Sequence, residues 1–493
     1  MGNFKSFLLR HEEWLRRSLI FIALYSFVGW LVLRPPLVSA SDIWWHLRIG
    51  QWIVQHHWVP YTNLFSSYVM GQPWAAYSWL FEILVYGLYQ RFGYIGLLFY
   101  VYALGILITA VVHRLIRRFE HRIANSIALT GLAIFAMAPL LTPRPWLFTI
   151  LLFIVEFDIL VSVRRSRNYR LLFLLLPLFA LWANIHIQFV YGLFVLGLAA
   201  CEEPLNRLLS RDQLNADQDR ALPPVFMVLI TTGCIIATLA NPYHVRIYSV
   251  LLDILRQGGL YDLLSELKAM EFRTAPDFFV LFLTLGAGFM LGRRQALKPF
   301  WILLFLTSAI LSFRSRRDVW FVATIAVVLI PTATSAIPSA GAYILSRGQR
   351  LLISATVGVL LILTARANHV SKSELQLAVA TTFPVNAAKV VEERGYPGPL
   401  YNHYDWGGYL MWRLPSLPVS IDGRNQVHDV NRLRHYAEVW NGMPNWASDP
   451  ELSSARIVVA EKVLPLTQLL RLDSRFELVY EDQIATVFIA RAK

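Results

Sequence analysis

The chain has 493 residues, of which 56% are hydrophobic, 14% aromatic and only 16% charged, with a formal net charge of +13. Its mean hydropathy is +0.48. Ordinary soluble domains carry roughly 25% charged residues, so a disordered chain, a fibrous protein and a soluble enzyme of this length are excluded, and a polytopic α-helical membrane protein is expected. The basic residues sit in short clusters between apolar runs, the pattern of cytoplasmic loops, so nucleic acid is not an expected partner.

From the N-terminus, Lys5, Arg10, Arg16 and Arg17 precede the apolar run Ser18–Leu33, which is followed by Arg-Pro-Pro and not by a small-residue cleavage site. This reads as a retained signal anchor with a cytoplasmic N-terminus. About eleven runs have the composition of spanning helices: near 18–37, 93–112, 123–142, 146–163, 171–184, 188–201, 224–240, 277–292, 299–313, 319–337 and 351–366. Alternation from a cytoplasmic start puts the basic loops 113–122, 164–170, 293–298 and 347–350 inside, together with the mixed loop 202–220, and the C-terminal region outside. The segment Trp74–Arg91 would invert this order if it crossed, so it is read as an interfacial helix. Cys201 and Cys234 lie in or beside apolar runs, and no disulfide framework is expected.

The expected organisation is a transmembrane domain over 1–366, with interfacial helices in its first outer loop (39–92), and an extracytoplasmic α/β domain over 367–493. In the latter, strands are expected at 399–404, 417–423, 456–462, 476–480 and 484–490, with helices near 384–394, 430–440 and 464–472. Gly407-Gly408 marks a tight turn or a close backbone approach. Asp405, Asp422 and Arg424 read either as acceptor-sugar contacts or as turn and core-edge residues.

Given this sidedness, the outer basic residues stand out: Arg144 in Thr-Pro-Arg-Pro, Arg246 after Asn-Pro-Tyr-His, and Arg314, Arg316 and Arg317 in Phe-Arg-Ser-Arg-Arg. Arginine stays charged and binds phosphate with two parallel N–H donors, so these are candidates for a lipid phosphate; pairing with outer carboxylates is the alternative. In the first outer loop, Asp42 follows the first membrane helix. A helix over 43–57 comes next, whose Trp44, Trp45 and Trp52 suit the membrane interface. His46 is one turn from Asp42. Asp42 is either an N-cap or a reactive acid. Two acids, Glu156 and Asp158, lie inside an apolar run, where they serve a proton path or pair with a buried arginine. His56 and His57 have no carboxylate at metal-ligand spacing.

The stretches DIWWHLRIGQWI (42–53), VPYTNLFS (59–66), GQPWAAYSWLFE (71–82), PRPWLF (143–148), LWANIHIQFVYG (181–192), NPY (241–243), YNHYDWGGYLMW (401–412) and SIDGR (420–424) resemble a largely uncharacterised bacterial group within the type-C (GT-C) glycosyltransferases. These are polytopic enzymes that use sugars carried on polyprenyl phosphates. The resemblance implies location in the bacterial cytoplasmic membrane and a catalytic first-loop acid, often an Asp-Glu pair. Here Ile43 follows Asp42, and Asn63 stands where the group has an acid, so Glu82 becomes the second catalytic candidate.

The chemistry implied is inverting transfer of a sugar from a polyprenyl-phosphate donor to a lipid, glycan or protein at the outer face. Asp42 acts as base; Arg144, Arg314, Arg316, Arg317 and His186 hold the phosphate; Trp45, His46, Asn184 and Tyr243 contact substrate. With one first-loop acid, no metal or other cofactor is expected. The alternative is a non-catalytic scaffold of the same fold, a subunit with protein partners in a larger membrane complex. A transporter reading lacks the expected inverted repeat.

Overall fold

The computed structural model describes residues 2–33, 41–209, 221–256, 258–259, 264, 266–293, 298–332 and 345–491. The chain divides into two compact units: Met1–Pro35 with Leu98–Ala240 and Ser265–Val370, and Pro36–Leu97 with Asn241–Leu264 and Ser371–Lys493. The sequence reading grouped the first outer loop with the helical region, whereas its contacts group it with the C-terminal residues.

The first unit is helical. Each of the eleven apolar runs overlaps a helix in its described residues, the ends of the runs 18–37 and 319–337 lying outside them. Among the described residues, five helices are long and apolar enough to cross a membrane: Glu12–Leu33, Tyr94–Ile116, Trp146–Ser166, Ala275–Gly292 and Arg347–Ala367. Four shorter apolar helices are Ile123–Ala136, Tyr169–Ile185, Pro224–Thr238 and Pro299–Arg314. The helix Val319–Thr332 is buried continuously from Val319 to Leu329, as an all-apolar helix must be when it lies inside a bundle. Its Trp320 and Phe321 rings meet Phe153, at 5.0 and 5.2 Å between centroids.

Among the described residues, several buried charges of this unit are paired and Glu156 is not. Arg164 makes a two-pronged bond to Glu202 at 3.1 and 2.6 Å, both side chains buried. Asp158 is bound by Arg118 and by Arg114 at 3.2 Å, so it pairs with arginine, although neither arginine is itself buried. Glu156 is fully buried with no hydrogen-bond partner on either oxygen. Its carboxylate lies against Gly192, where a Cβ would overlap it.

The second unit is α/β. Its sheet has the order β1-β2-β4-β3, with β1 Leu400–Asn402, β2 Ile457–Glu461, β3 Phe476–Glu481 and β4 Ala485–Ala490. Strand β1 runs parallel to β2, and the other pairings are antiparallel. The β3–β4 hairpin turns on Asp482, whose carboxylate accepts the Ile484 and Ala485 amides at 2.9 and 2.8 Å. Helices Val385–Arg394, Val430–Trp440 and Pro465–Leu472 fall where expected.

One expectation fails here, and one pair of alternatives is decided. The stretch 417–423 is not a strand of the sheet. Val419 instead exchanges backbone bonds with the first loop, its N–H donating to Phe65 at 3.0 Å and its carbonyl accepting from Ser67 at 2.9 Å. Gly407-Gly408 is not a turn but lies inside the helix Tyr404–Arg413. Its reason is close approach: a Cβ on Gly407 would overlap the Ile421 carbonyl, and one on Gly408 would stand 3.0 Å from the Ser41 carbonyl.

The first-loop helices are Ile43–His56 and Trp79–Phe92. Each has 14 residues, about 21 Å at 1.5 Å per residue, short of the ~30 Å hydrocarbon layer. They touch at Gly50, where any side chain would overlap the Glu82 carbonyl. Trp44, Trp45 and Trp52 are buried in protein, which corrects their reading as membrane-interface anchors. Trp44 is boxed edge-on by Tyr89, Tyr94, Phe383 and Tyr409 at 5.0–6.4 Å. The C-terminal residues supply the apolar cover that the interface reading assigned to lipid.

Candidate active site

Asp42 occupies the N-cap position of Ile43–His56, yet its side chain makes no capping hydrogen bond. Its carboxylate is therefore not consumed by the helix end. It is partly exposed and lies against Gly423 of the SIDGR stretch, where a Cβ would overlap Oδ1 and stand 3.1 Å from Cγ and 3.3 Å from Trp45 Nε1. The absence of a side chain at 423 thus makes the seat for Asp42.

One turn on, Trp45 and His46 share the face of Asp42. The Trp45 ring lies over the His46 ring, with centroids 3.5 Å apart. His46 Nδ1 is 3.2 Å from Glu82 Oε1, and both residues are buried. Burial pushes the His46 imidazole well below its ordinary value. Burial likewise pushes the Glu82 carboxyl well up, against the opposing charge of Arg424. Both shifts favour the neutral forms, because desolvation disfavours either charge. A neutral acid is matched closely by an amide. Glu82→Gln is therefore expected to change stability by less than ~1 kcal/mol, with Glu82→Ala costing ~1–3 kcal/mol through the orphaned imidazole, as read by thermal melts of the purified chain.

Asn63, which stands in place of a family acid, is fully buried. Its amide donates to the carbonyls of Ser66 at 3.2 Å and Val69 at 2.9 Å, and its Oδ1 accepts from the Phe65 amide at 3.2 Å. An ionised carboxylate has no hydrogen to give those carbonyls, so the loop is built for the amide.

Residues read as turn or core-edge prove central. Asp422 and Arg424 are buried. Asp422 accepts from Arg424 Nε and Nη2 at 2.8 Å each, from the Arg424 amide at 2.9 Å and from Ser66 Oγ at 2.7 Å, with His428 Nε2 at 3.3 Å. Arg424 also donates to Ser66 Oγ at 2.7 Å, and its guanidinium lies over the Trp74 and Phe65 rings at 4.8 and 5.2 Å. Burial alone would raise the Asp422 carboxyl, but the charge and hydrogen bonds of Arg424, with His428, hold it well below the usual range. Arg424 Nη1, Glu82 Oε2 and Trp45 Nε1 are buried without hydrogen-bond partners. The signal for this network was the Asp-x-Arg spacing in SIDGR; the covering rings of Phe65 and Trp74 could not be read locally. Asp405, by contrast, is exposed at the start of its helix.

This network gives the unit an acid limit. Burial lowers His428 below the usual imidazole value, although Asp422 opposes it. The folded chain therefore binds fewer protons than the unfolded chain below pH ~6.5, and stability is lost as pH falls through that window. His46 acts in the same sense. Asp422 adds a loss below pH ~4, and Glu82, raised, works in the opposite sense. The melting temperature is expected to fall between about pH 7 and about pH 5, and His428→Gln to remove part of that fall.

Tyr243 is buried, its hydroxyl donating to the Pro60 carbonyl and accepting from the Ala76 amide, at 2.8 and 2.9 Å. These bonds fasten the Asn-Pro-Tyr turn to the first loop.

The remaining candidates belong to the helical unit. Arg144 and Arg317 both approach Glu266, at 3.3 and 3.7 Å, and Arg144 lies over Trp146 at 5.1 Å. Arg316 faces Asp277 instead, at 3.8 Å, and Arg314 is exposed at the end of its helix. His186 follows the end of Leu175–Ile185, its Nδ1 2.8 Å from Thr149 Oγ1, which also accepts from Trp182 Nε1 at 2.9 Å. Asn184 donates to the carbonyls of Ala180 and Ala240 at 2.7 and 2.8 Å, tying two helix ends together. Asp318 accepts from Gln188 at 2.9 Å. Asp42, Trp45, His46, Glu82 and Tyr243 thus share one unit, and the arginines, Asn184 and His186 the other. Among the described residues, no three His, Cys, Asp or Glu side chains are grouped as metal ligands.

No family model matches the sequence, and no curated protein matches it. Solved structures do. The apo oligosaccharyltransferase of Archaeoglobus fulgidus aligns over 90% of this chain and 69% of its own, with a TM-score of 0.49 and 10% identity. ArnT from Cupriavidus metallidurans, bound to undecaprenyl phosphate, aligns over 97% of this chain and 98% of its own, with a TM-score of 0.50 and 14% identity. The chain resembles the type-C polytopic glycosyltransferases. At this identity the likeness is one of fold. The long apolar helices of the described residues fit that fold.

Proposed function

We propose that the chain transfers a sugar, with inversion, from a polyprenyl-phosphate donor to a lipid, glycan or protein acceptor at the outer face of a bacterial cytoplasmic membrane, with the N-terminus inside and the C-terminal residues outside. The observation that carries this reading is Asp42, partly exposed at the start of its helix and seated on Gly423. Asp42 takes the proton of the acceptor hydroxyl. The acceptor oxygen bonds to the anomeric carbon as the carbon–oxygen bond to phosphate breaks, and that electron pair leaves on the phosphate. A single displacement inverts the anomeric centre and needs no second carboxylate as nucleophile. Glu82 and His46 act as a neutral pair behind Asp42, orienting its helix face. Arg144, Arg317 and their neighbours Arg314 and Arg316, with His186 as a hydrogen-bond donor, are the helical unit's candidates for binding a lipid phosphate. In this scheme no metal is required.

The scaffold reading draws on Glu266, which already engages Arg144 and Arg317. The two readings separate in proteoliposomes loaded with radiolabelled polyprenyl-phosphate sugars: release of polyprenyl phosphate that depends on Asp42 supports transfer, and its absence across the sugars tested supports the scaffold.

A further inference from the structure

Within the second unit, a cleft of about 210 Å³, whose lining does not include Asp42, is bordered by Pro73, Trp74, Arg246, Ser249, Asp253 and Gln426. Its polar groups have fixed roles. Arg246 reaches only backbone carbonyls, those of Tyr61 and Trp74, through long bonds of 3.4 Å, and has no carboxylate partner among the described residues. Gln426 Oε1 accepts from Trp74 Nε1 at 3.0 Å, which fixes the amide so that its nitrogen is the donor left over. Ser249 gives its hydroxyl hydrogen to the Arg246 carbonyl at 2.8 Å, so its oxygen is left as an acceptor. Asp253 is exposed, 3.7 Å from Arg256.

Donors at Arg246 and Gln426 therefore stand among acceptors at Asp253 and Ser249, with Pro73 as an apolar edge. An anion would meet Asp253 and a cation would meet Arg246, so neither is favoured. A neutral ring of hydroxyls, each both donor and acceptor, satisfies all four. The volume lies below the ~300–1,000 Å³ of drug-sized sites, room for one sugar ring and not for a polyprenyl chain.

We propose that this cleft is a subsite for one hexose unit of a glycan. Resting on the transferase reading, it is a site for acceptor sugar, separate from the reacting centre. Asp253 accepts a pair of hydroxyls, Arg246 and Gln426 donate to the next, and Pro73 packs against the ring.

The test is ligand-observed NMR on the full chain in dodecylphosphocholine, which has no sugar headgroup, with the methyl glycosides of glucose, galactose, mannose and N-acetylglucosamine as probes and glycerol and inorganic phosphate as controls. At least one glycoside is expected to bind, and Asp253→Asn to weaken it about tenfold, as expected for a lost bond to a charged acceptor. Arg246→Gln is expected to weaken it similarly, and Asp42→Asn to leave it unchanged. Binding no stronger than glycerol, binding indifferent to Asp253→Asn, or displacement by phosphate overturns the subsite. Glycoside binding without Asp42-dependent transfer sinks the transferase reading alone; Asp42-dependent transfer without glycoside binding sinks the subsite alone.

Discussion

Asp42→Asn is expected to reduce sugar transfer from a polyprenyl-phosphate donor by about 10²–10⁴-fold, the usual contribution of a positioned general base. The substitution keeps size and shape, and the native side chain makes no cap bond, so the helix start loses no cap, only the small stabilisation of a negative charge there, about 0.3–1 kcal/mol. The melting temperature should therefore stay close to that of the parent chain. A companion variant probes position rather than charge. In Gly423→Ala the new methyl meets the flexible end of Asp42, so the carboxylate yields and the backbone does not. Transfer is expected to fall at least about tenfold, since a base must lie within hydrogen-bond reach of its proton, with the fold retained. Full activity in both variants would remove Asp42 from the reaction.

The largest loss of stability is expected from Asp422→Ala. It leaves the buried Arg424 guanidinium without its counter-charge and Ser66 without its acceptor. Breaking a buried ion pair from one side costs about 3–5 kcal/mol. Removing both charges is milder, so Asp422→Ala combined with Arg424→Met is expected to recover more than half of the lost melting temperature. If the double variant is as unstable as the single one, Arg424 is held by its aromatic neighbours Phe65 and Trp74 rather than by charge.

The apolar runs were legible because a bilayer demands them: the run near 146–163 has no other stable form in lipid than the helix Trp146–Ser166. Asp42 was legible from its place after the first helix, but the choice between cap and reactive acid was not, since both put an aspartate at the same position. Trp44 shows the limit of composition. A tryptophan suits a lipid headgroup layer and a protein core equally, and only contacts with Phe383 and Tyr409, more than 300 positions away, decide between them. The stretch 417–423 alternates like a sheet strand, yet its partner is the first-loop segment at Phe65–Ser67. Asp422 and Arg424 were misjudged for the same reason: their burial is supplied by Phe65 and Trp74 from the far end of the chain.

That long-range pairing has a consequence during synthesis. The hydrophilic stretch made first, around Asp42, is completed by residues 371–493, made last. Closing so long a separation is entropically slow, and until the ribosome has delivered Phe383 and Tyr409 the indole of Trp44 has only Tyr89 and Tyr94 of its four ring neighbours. The nascent chain therefore carries a sticky, unfinished first loop through most of its translation, a stage at which a chaperone or the bilayer surface must shield it.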